Sequence, residues 1–229
     1  MDGAFTIAPV SDPDVPVFGT TVTLRSLVRA PRSQPGAPLV IALHGWGMSD
    51  HSFHRWLAPG IERGGLSWWI PRGILPCEVR QRKIGYSWYV FDGDQDRLRA
   101  RMDEARGYLA GVVQMARESL RPSSITLLGF SQGAYLASYV ALTRPDLFDR
   151  LVCCCGRPKA EFVEDLGAAG EMEILIQTGD KDDSVRPELI AKGVAPLKEA
   201  GLRVMERSYD APHKLTPEMA VDAAEFARC

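Results

Sequence analysis

Residues 129–133 read Gly-Phe-Ser-Gln-Gly and join two segments of different character. A short apolar run, 125–128, precedes them, and a stretch of helical composition, 134–143, follows them. The glycines permit a tight, strained strand-to-helix turn, because no Cβ atom clashes there. Such a turn holds the Ser131 hydroxyl out of the sheet, at the positive end of the following helix. The pentapeptide also arises by chance as a plain turn, but this strand–turn–helix setting predicts that Ser131 is a nucleophile.

Apolar and helical segments alternate from residue 39 to the end of the sequence. Leu39–Leu43 is a continuous apolar run, as expected for a strand buried on both faces. In the long helix predicted at 97–120, apolar residues recur at spacings of three and four. We also predict strands at 20–28, 66–70, 125–128, 151–155, 174–178 and 202–208, and helices at 51–57, 132–143, 187–200 and 217–227.

This order of elements predicts an α/β fold, with a mostly parallel central sheet and helices on both faces. No linker or internal repeat divides the sequence, so we expect a single domain over residues 1–229. Residues 1–19, rich in Pro, Asp and Gly, are predicted to form an irregular arm. Residues 71–96 lack clear periodicity and are predicted to form a cap or substrate-side loop.

The composition narrows the classes of partner. A net charge of −2 without basic runs argues against nucleic acid or an anionic membrane as a ligand. No apolar stretch approaches the length of a membrane span. The first fourteen residues carry Asp2, Asp12 and Asp14 and resemble no signal peptide, so we expect a cytoplasmic protein. Its oligomeric state stays open, with a homodimer as one alternative.

Two groups of residues resemble metal ligands, and for both we favour another interpretation. The five cysteines are odd in number, and the adjacent Cys153–Cys155 lie in an apolar segment, which is typical of buried strand residues. Residues 92–96 alternate acids as a calcium loop does. However, Arg97 replaces the glycine that this loop requires, and Asp103 replaces its last glutamate, so a helix-capping turn is favoured. We therefore predict no metal and no cofactor.

A nucleophilic serine needs a base within hydrogen-bond reach and an acid that orients the base. In α/β-hydrolases these partners follow the serine in the order acid, then histidine, on loops after strands. After the strand predicted at 174–178 come three candidate acids, Asp180, Asp182 and Asp183. His213 follows the last predicted strand and is the one histidine after Ser131, so it is our predicted base.

The oxyanion of a tetrahedral intermediate needs two N–H donors. One predicted donor is the backbone N–H of Gln132, next to the nucleophile, and the other is the N–H of Trp46 in the loop after the first buried strand. His44 precedes this loop and is interpreted as structural rather than catalytic.

Several segments together resemble the phospholipase/carboxylesterase family of α/β-hydrolases, which includes the acyl-protein thioesterases. The resemblance runs from about Leu39 to the carboxyl terminus and is most specific at residues 129–134, Gly-Phe-Ser-Gln-Gly-Ala. Residues 43–47 look like the family's L-H-G-x-G, and residues 144–148, Arg-Pro-Asp-Leu-Phe, are similar to its segment after the nucleophile helix. Residues 179–185 resemble its G-x-x-D-x-x-V loop, which selects Asp182 as the acid.

The resemblance implies a serine hydrolase with the triad Ser131, Asp182 and His213, acting on small-molecule esters or thioesters. Residues 85–89 look like the family's aromatic substrate-side segment, and Trp46 stands where the family often has leucine. We therefore expect substrate contacts from Trp46, Trp88, Tyr89 and Phe91, and short to medium acyl chains. The alternatives are a peptidase or lactone hydrolase on the same fold, and a binding protein without catalysis.

Overall fold

A computed structural model describes residues 26–29, 36–80 and 82–228. The strands in these ranges are β1 Ser26–Arg29, β2 Leu39–Leu43, β3 Ser67–Pro71, β4 Leu75–Arg80, β5 Lys83–Ser87, β6 Ile125–Phe130, β7 Arg150–Cys154, β8 Glu173–Gly179 and β9 Arg203–Tyr209. Seven of them form one sheet in the order β1-β3-β2-β6-β7-β8-β9. β1 pairs antiparallel with β3, and the other neighbours are parallel, which confirms the predicted mostly parallel sheet. The predicted arm at 1–19 and the first part of the strand predicted at 20–28 lie outside the described residues.

The helices cover both faces of this sheet, as predicted. Alternate residues of β2 enter two apolar clusters, Leu39 and Ile41 in one and Val40 and Ala42 in the other. The helices are α1 Asp50–Ile61, α2 Gln95–Leu120, α3 Gln132–Thr143, α4 Pro187–Glu199 and α5 Pro217–Phe226. The first cluster packs under α2, α3 and α4, and the second under α1 and α5. Within the described ranges, no helix is both long enough and apolar enough to cross a membrane.

Acidic residues at 92–96 cap the long helix α2. The Asp94 side chain accepts a hydrogen bond from the Arg97 backbone N–H at 2.9 Å, which satisfies one of the free donors of the first turn. Asp92 forms ion pairs with Arg97 and Arg101. Asp92 and Asp94 therefore both have partners in the first two turns of α2.

Residues 71–96 contain a β-hairpin that the sequence analysis did not predict. β4 and β5 pair antiparallel in a separate two-stranded sheet. Tyr86 of β5 also exchanges backbone hydrogen bonds with the loop after β2: the Gly47 N–H donates to Tyr86 O, and the Tyr86 N–H donates to Met48 O, both at 2.9 Å. The hairpin therefore braces the loop in which one oxyanion donor was predicted.

Candidate active site

Ser131 lies at a strained turn between β6 and α3. Its backbone has φ 52° and ψ −119°, a conformation that costs a non-glycine residue about 1–3 kcal/mol. The Ser131 N–H donates to Cys154 O of the neighbouring strand at 3.0 Å, which helps to hold the turn. The flanking glycines are needed for close packing. A Cβ on Gly129 would lie 2.2 Å from Gly133 O, and one on Gly133 would lie 2.3 Å from Leu43 O.

The structure brings Ser131, His213 and Asp182 together in one hydrogen-bonded chain. His213 Nε2 lies 2.8 Å from Ser131 Oγ, and His213 Nδ1 lies 2.7 Å from Asp182 Oδ2. Because a carboxylate oxygen accepts hydrogen bonds, the proton of a neutral His213 belongs on Nδ1. Nε2 is then free to accept the serine proton. The three residues follow β6, β9 and β8, so their loops meet at the carboxyl edge of the sheet.

The position of Asp182 is fixed by its own loop. Its Oδ1 accepts the backbone N–H groups of Ser184 at 2.9 Å and Val185 at 2.8 Å, and its side chain is fully buried. These bonds leave Oδ2 directed at His213. Asp180 and Asp183 are exposed, and of the three candidate acids only Asp182 contacts His213 in the described structure.

The loop after β2 runs directly beside the serine. A Cβ on Gly45 would lie 3.3 Å from Ser131 Cβ and 3.0 Å from the Phe130 ring, so glycine permits this approach. Among the described residues, no acceptor is bound to the backbone N–H of Trp46 or of Gln132. Gln132 is the first residue of α3, where an N–H has no acceptor within the helix. Both predicted oxyanion donors are therefore free to bind a ligand.

The buried His44 side chain supports this loop through hydrogen bonds. It is fully buried, its Nε2 accepts the Gly73 N–H at 2.9 Å, and its Nδ1 lies 2.8 Å from Gly45 O. Its carbonyl oxygen accepts the indole N–H of Trp88 at 2.8 Å. Burial lowers the pKa of His44 to about 4, although the hydrogen bond with Gly45 opposes this shift. The ring is thus neutral at pH 7 and connects the loops after β2 and β3.

The lowered pKa of His44 predicts a pH-dependent stability. The unfolded chain binds the His44 proton near pH 6.5 and the folded chain only near pH 4. Between about pH 4 and pH 6.5, the free energy of unfolding should therefore rise with pH. As pH falls through the same range, the stabilisation that neutral His44 provides should be lost. The contribution should be about 3 kcal/mol. Urea unfolding of wild type and His44→Gln at several pH values measures it, with the exposed His51→Gln as matched control. Equal pH slopes in wild type and His44→Gln would contradict this account.

The Gln132 side chain fixes the segment that follows the β4–β5 hairpin. Its Oε1 accepts the Trp88 N–H at 3.1 Å, and its Nε2 donates to Tyr89 O at 2.9 Å and to Ser87 Oγ at 2.8 Å. From the sequence, only the backbone N–H of Gln132 was predicted to have a role. The Gln132 side chain also holds an aromatic segment against the turn at Ser131.

An open cleft of about 550 Å³ adjoins Ser131. Of the predicted substrate-side residues, Tyr89 and Phe91 line it. Trp88 is instead fully buried in the core, and the Trp46 side chain is 58% exposed and is not part of the lining. Seven further lining residues were not predicted: Gln95, Leu98, Tyr135, Arg157, Lys159, Leu189 and Lys192.

For two of the lining residues that were not predicted, the sequence did indicate a position near the site. Tyr135 lies in the first turn of α3, four positions after its N-cap Ser131, a spacing that brings residues to one side of a helix. Arg157 follows β7, and ligands of parallel sheets bind at the carboxyl ends of strands. Lys192 lies within α4, and its spacing in the sequence gave no indication that it lines the cleft.

Several solved structures of other proteins share this fold. Esterase PE8 is 23% identical with a TM-score of 0.75, over 90% of this chain and 99% of its own. SOBER1 of Arabidopsis thaliana is 21% identical with a TM-score of 0.67, over 83% and 97%. The Bacillus cereus carboxylesterase is 18% identical with a TM-score of 0.68, over 89% and 93%. At these identities the likeness shows the α/β-hydrolase fold. No curated protein matches the sequence significantly.

The sequence profile of the phospholipase/carboxylesterase family extends over nearly the whole described structure. It matches residues 26–229, from the first strand of the sheet to the end of the sequence. This range includes Ser131 and every other element of the site. The chain belongs to the phospholipase/carboxylesterase family of α/β-hydrolases.

Proposed function

We propose that this protein is a serine esterase in which Ser131, His213 and Asp182 form the catalytic triad. The observation that carries the proposal is the unbroken hydrogen-bonded chain from Ser131 Oγ through the His213 ring to Asp182 Oδ2. A serine hydroxyl is a weak nucleophile at neutral pH, and this arrangement supplies the base and the group that orients it.

The proposed reaction has two halves. Ser131 Oγ attacks the ester carbonyl carbon while His213 Nε2 takes the hydroxyl proton, and the N–H groups of Trp46 and Gln132 stabilise the oxyanion. The intermediate expels the alcohol, or the thiol of a thioester, which receives the proton from His213. Water then attacks the acyl-enzyme, again with His213 as base. The carboxylic acid leaves, and Ser131 regains its proton.

The walls of the cleft favour short to medium acyl chains. Tyr89, Phe91, Leu98 and Leu189 supply apolar surface in the cleft beside Ser131. Polar residues also line it, and three of them carry a positive charge: Arg157, Lys159 and Lys192. Each buried methylene contributes about 0.8 kcal/mol, so specificity should first rise with chain length. The rise should stop where the chain would meet the charged groups, because burying them unpaired is costly.

A fluorophosphonate probe and a panel of esters and thioesters of increasing acyl length test the proposed function. We expect covalent labelling of Ser131 and hydrolysis with an optimum at short to medium chains. Labelling is expected to be lost in Ser131→Ala. A folded protein that is neither labelled nor active would favour a binding protein. Labelling without ester hydrolysis would favour the peptidase or lactone alternative, and an optimum at long chains would contradict the proposed chain length.

A further inference from the structure

The cleft beside Ser131 is lined by positive charge. Its charged lining residues are Arg157, Lys159 and Lys192, here called the cationic wall, and its described lining includes no carboxylate. The whole chain has a net charge of −2, so this local excess does not follow from composition. Positive potential in a cleft of low dielectric attracts anions.

One carboxylate near the wall neutralises only part of this charge. Glu161 accepts two hydrogen bonds from the Arg157 guanidinium, at 2.5 and 3.2 Å, and one from Lys159 Nζ at 2.8 Å. The Lys159 side chain is only 4% exposed, and its Nζ also reaches Gln95 Oε1 at 3.3 Å. Two cations thus share one anion, which leaves one positive charge that the cluster does not balance.

Lys192 adds a second unbalanced charge. It is exposed on α4, and no described residue forms an ion pair with it. The neighbouring Gly193 permits α4 to pack closely against the loop after β7: a Cβ there would lie 2.5 Å from Arg157 Cγ and 2.7 Å from Pro158 O. This packing brings Lys192 and Arg157 to the same side of the cleft.

The cationic wall also lies close to the nucleophile. Tyr135, one helical turn after Ser131, lines the cleft; burial raises the pKa of its hydroxyl, and the positive charge of the nearby Arg157 opposes this rise. Its backbone N–H donates to Ser131 O at 3.2 Å. Ser131, Tyr135 and the cationic wall thus line one cleft, so an ester bound at Ser131 lies in the same cleft as the wall.

We propose that the natural substrate is an ester or thioester that carries a carboxylate on one side of its scissile bond, and that the cationic wall binds this carboxylate. The inference rests on the proposed function of Ser131. Arg157 and Lys192 offer donors of the kind that bind carboxylates with charge-assisted hydrogen bonds. The apolar side of the cleft, with Phe91 and Leu189, then contacts the chain between the ester and the anion.

Matched ester pairs test this proposal. Monoethyl adipate and the ethyl ester of adipamic acid differ only in a carboxylate against an amide on the acyl side. The butyryl esters of glycolate and glycolamide differ in the same way on the alcohol side. In wild type we expect kcat/KM to favour the carboxylate by about tenfold in one pair, and this preference should shrink as ionic strength rises.

The Lys192→Gln variant tests whether the cationic wall causes the preference for the carboxylate substrate. Because Lys192 is exposed, its loss should lower the carboxylate-to-amide ratio by about threefold. Lys198→Gln, at an exposed lysine of the same helix outside the cleft lining, is the matched control and should keep the wild-type ratio. Equal kcat/KM within both pairs, or an unchanged ratio in Lys192→Gln, would overturn the proposal. Hydrolysis of the amide partners would meanwhile show that the proposed esterase function holds.

Discussion

Replacing Ser131 with alanine is expected to lower kcat/KM for ester substrates by about 10⁴-fold or more, because no other group supplies the attacking oxygen. Stability should change little. Alanine keeps the Cβ, so the strain of the positive φ at this turn is the same in both proteins. The hydroxyl faces the site, and its described hydrogen bond is the one to His213.

Steady-state kinetics and thermal unfolding of the same preparations measure both quantities. Ser119→Ala is a matched control, because Ser119 is an exposed serine on α2 that bonds only to the Met115 carbonyl of its own helix. It should leave turnover unchanged. A folded Ser131→Ala protein with near-normal turnover would show that the nucleophile lies elsewhere.

Most of the main sheet could be predicted from the sequence because its central parallel strands are buried on both faces, whereas the edge strand β9 is mostly exposed. Such strands read as continuous apolar runs, as at β2, and the structure places all five β2 residues in the core. The helix at 132–143 was predicted with the bounds that α3 has. Here local sequence and tertiary burial favour the same structure, so the prediction needed no knowledge of long-range contacts.

The β4–β5 hairpin could not be predicted in this way. Its residues are mostly exposed or half-buried, and Leu75 and Ile84 project apolar side chains outward. The pairing of Tyr86 with Met48, 38 positions apart in sequence, holds the hairpin in place. A contact of this kind leaves no periodic pattern in the sequence.

The lining of the cleft was difficult to predict because the sequence does not show where side chains point. Trp88 belongs to an aromatic segment that the resemblance placed near substrate, yet its indole N–H is paired with the His44 carbonyl inside the core. Arg157 and Lys192 are distant in sequence and line the same cleft, where α4 packs against the loop after β7 at Gly193. Position on a loop after a strand identifies candidate residues, whereas the walls of a cleft depend on how the helices pack.

Replacing Asp182 with asparagine is expected to reduce kcat by about 10³–10⁴-fold while the protein stays folded. The Oδ1 of the variant can still accept the N–H groups of Ser184 and Val185. The amide NH₂ would then face His213 Nδ1 and donate to it. This favours the tautomer with the proton on Nε2, which cannot accept a proton from Ser131. The loss therefore arises from the tautomer of His213, with the geometry of the loop preserved.

Two neighbours on the same loop serve as matched controls for this variant. Asp180→Asn and Asp183→Asn remove the same charge from exposed side chains, so long-range electrostatics change equally but the bond to His213 stays. Both should keep nearly wild-type turnover. Equal losses in all three variants would show that the net charge or structure of the loop matters rather than one carboxylate. A severe loss confined to Asp180→Asn or Asp183→Asn would transfer the role of the orienting acid to that residue.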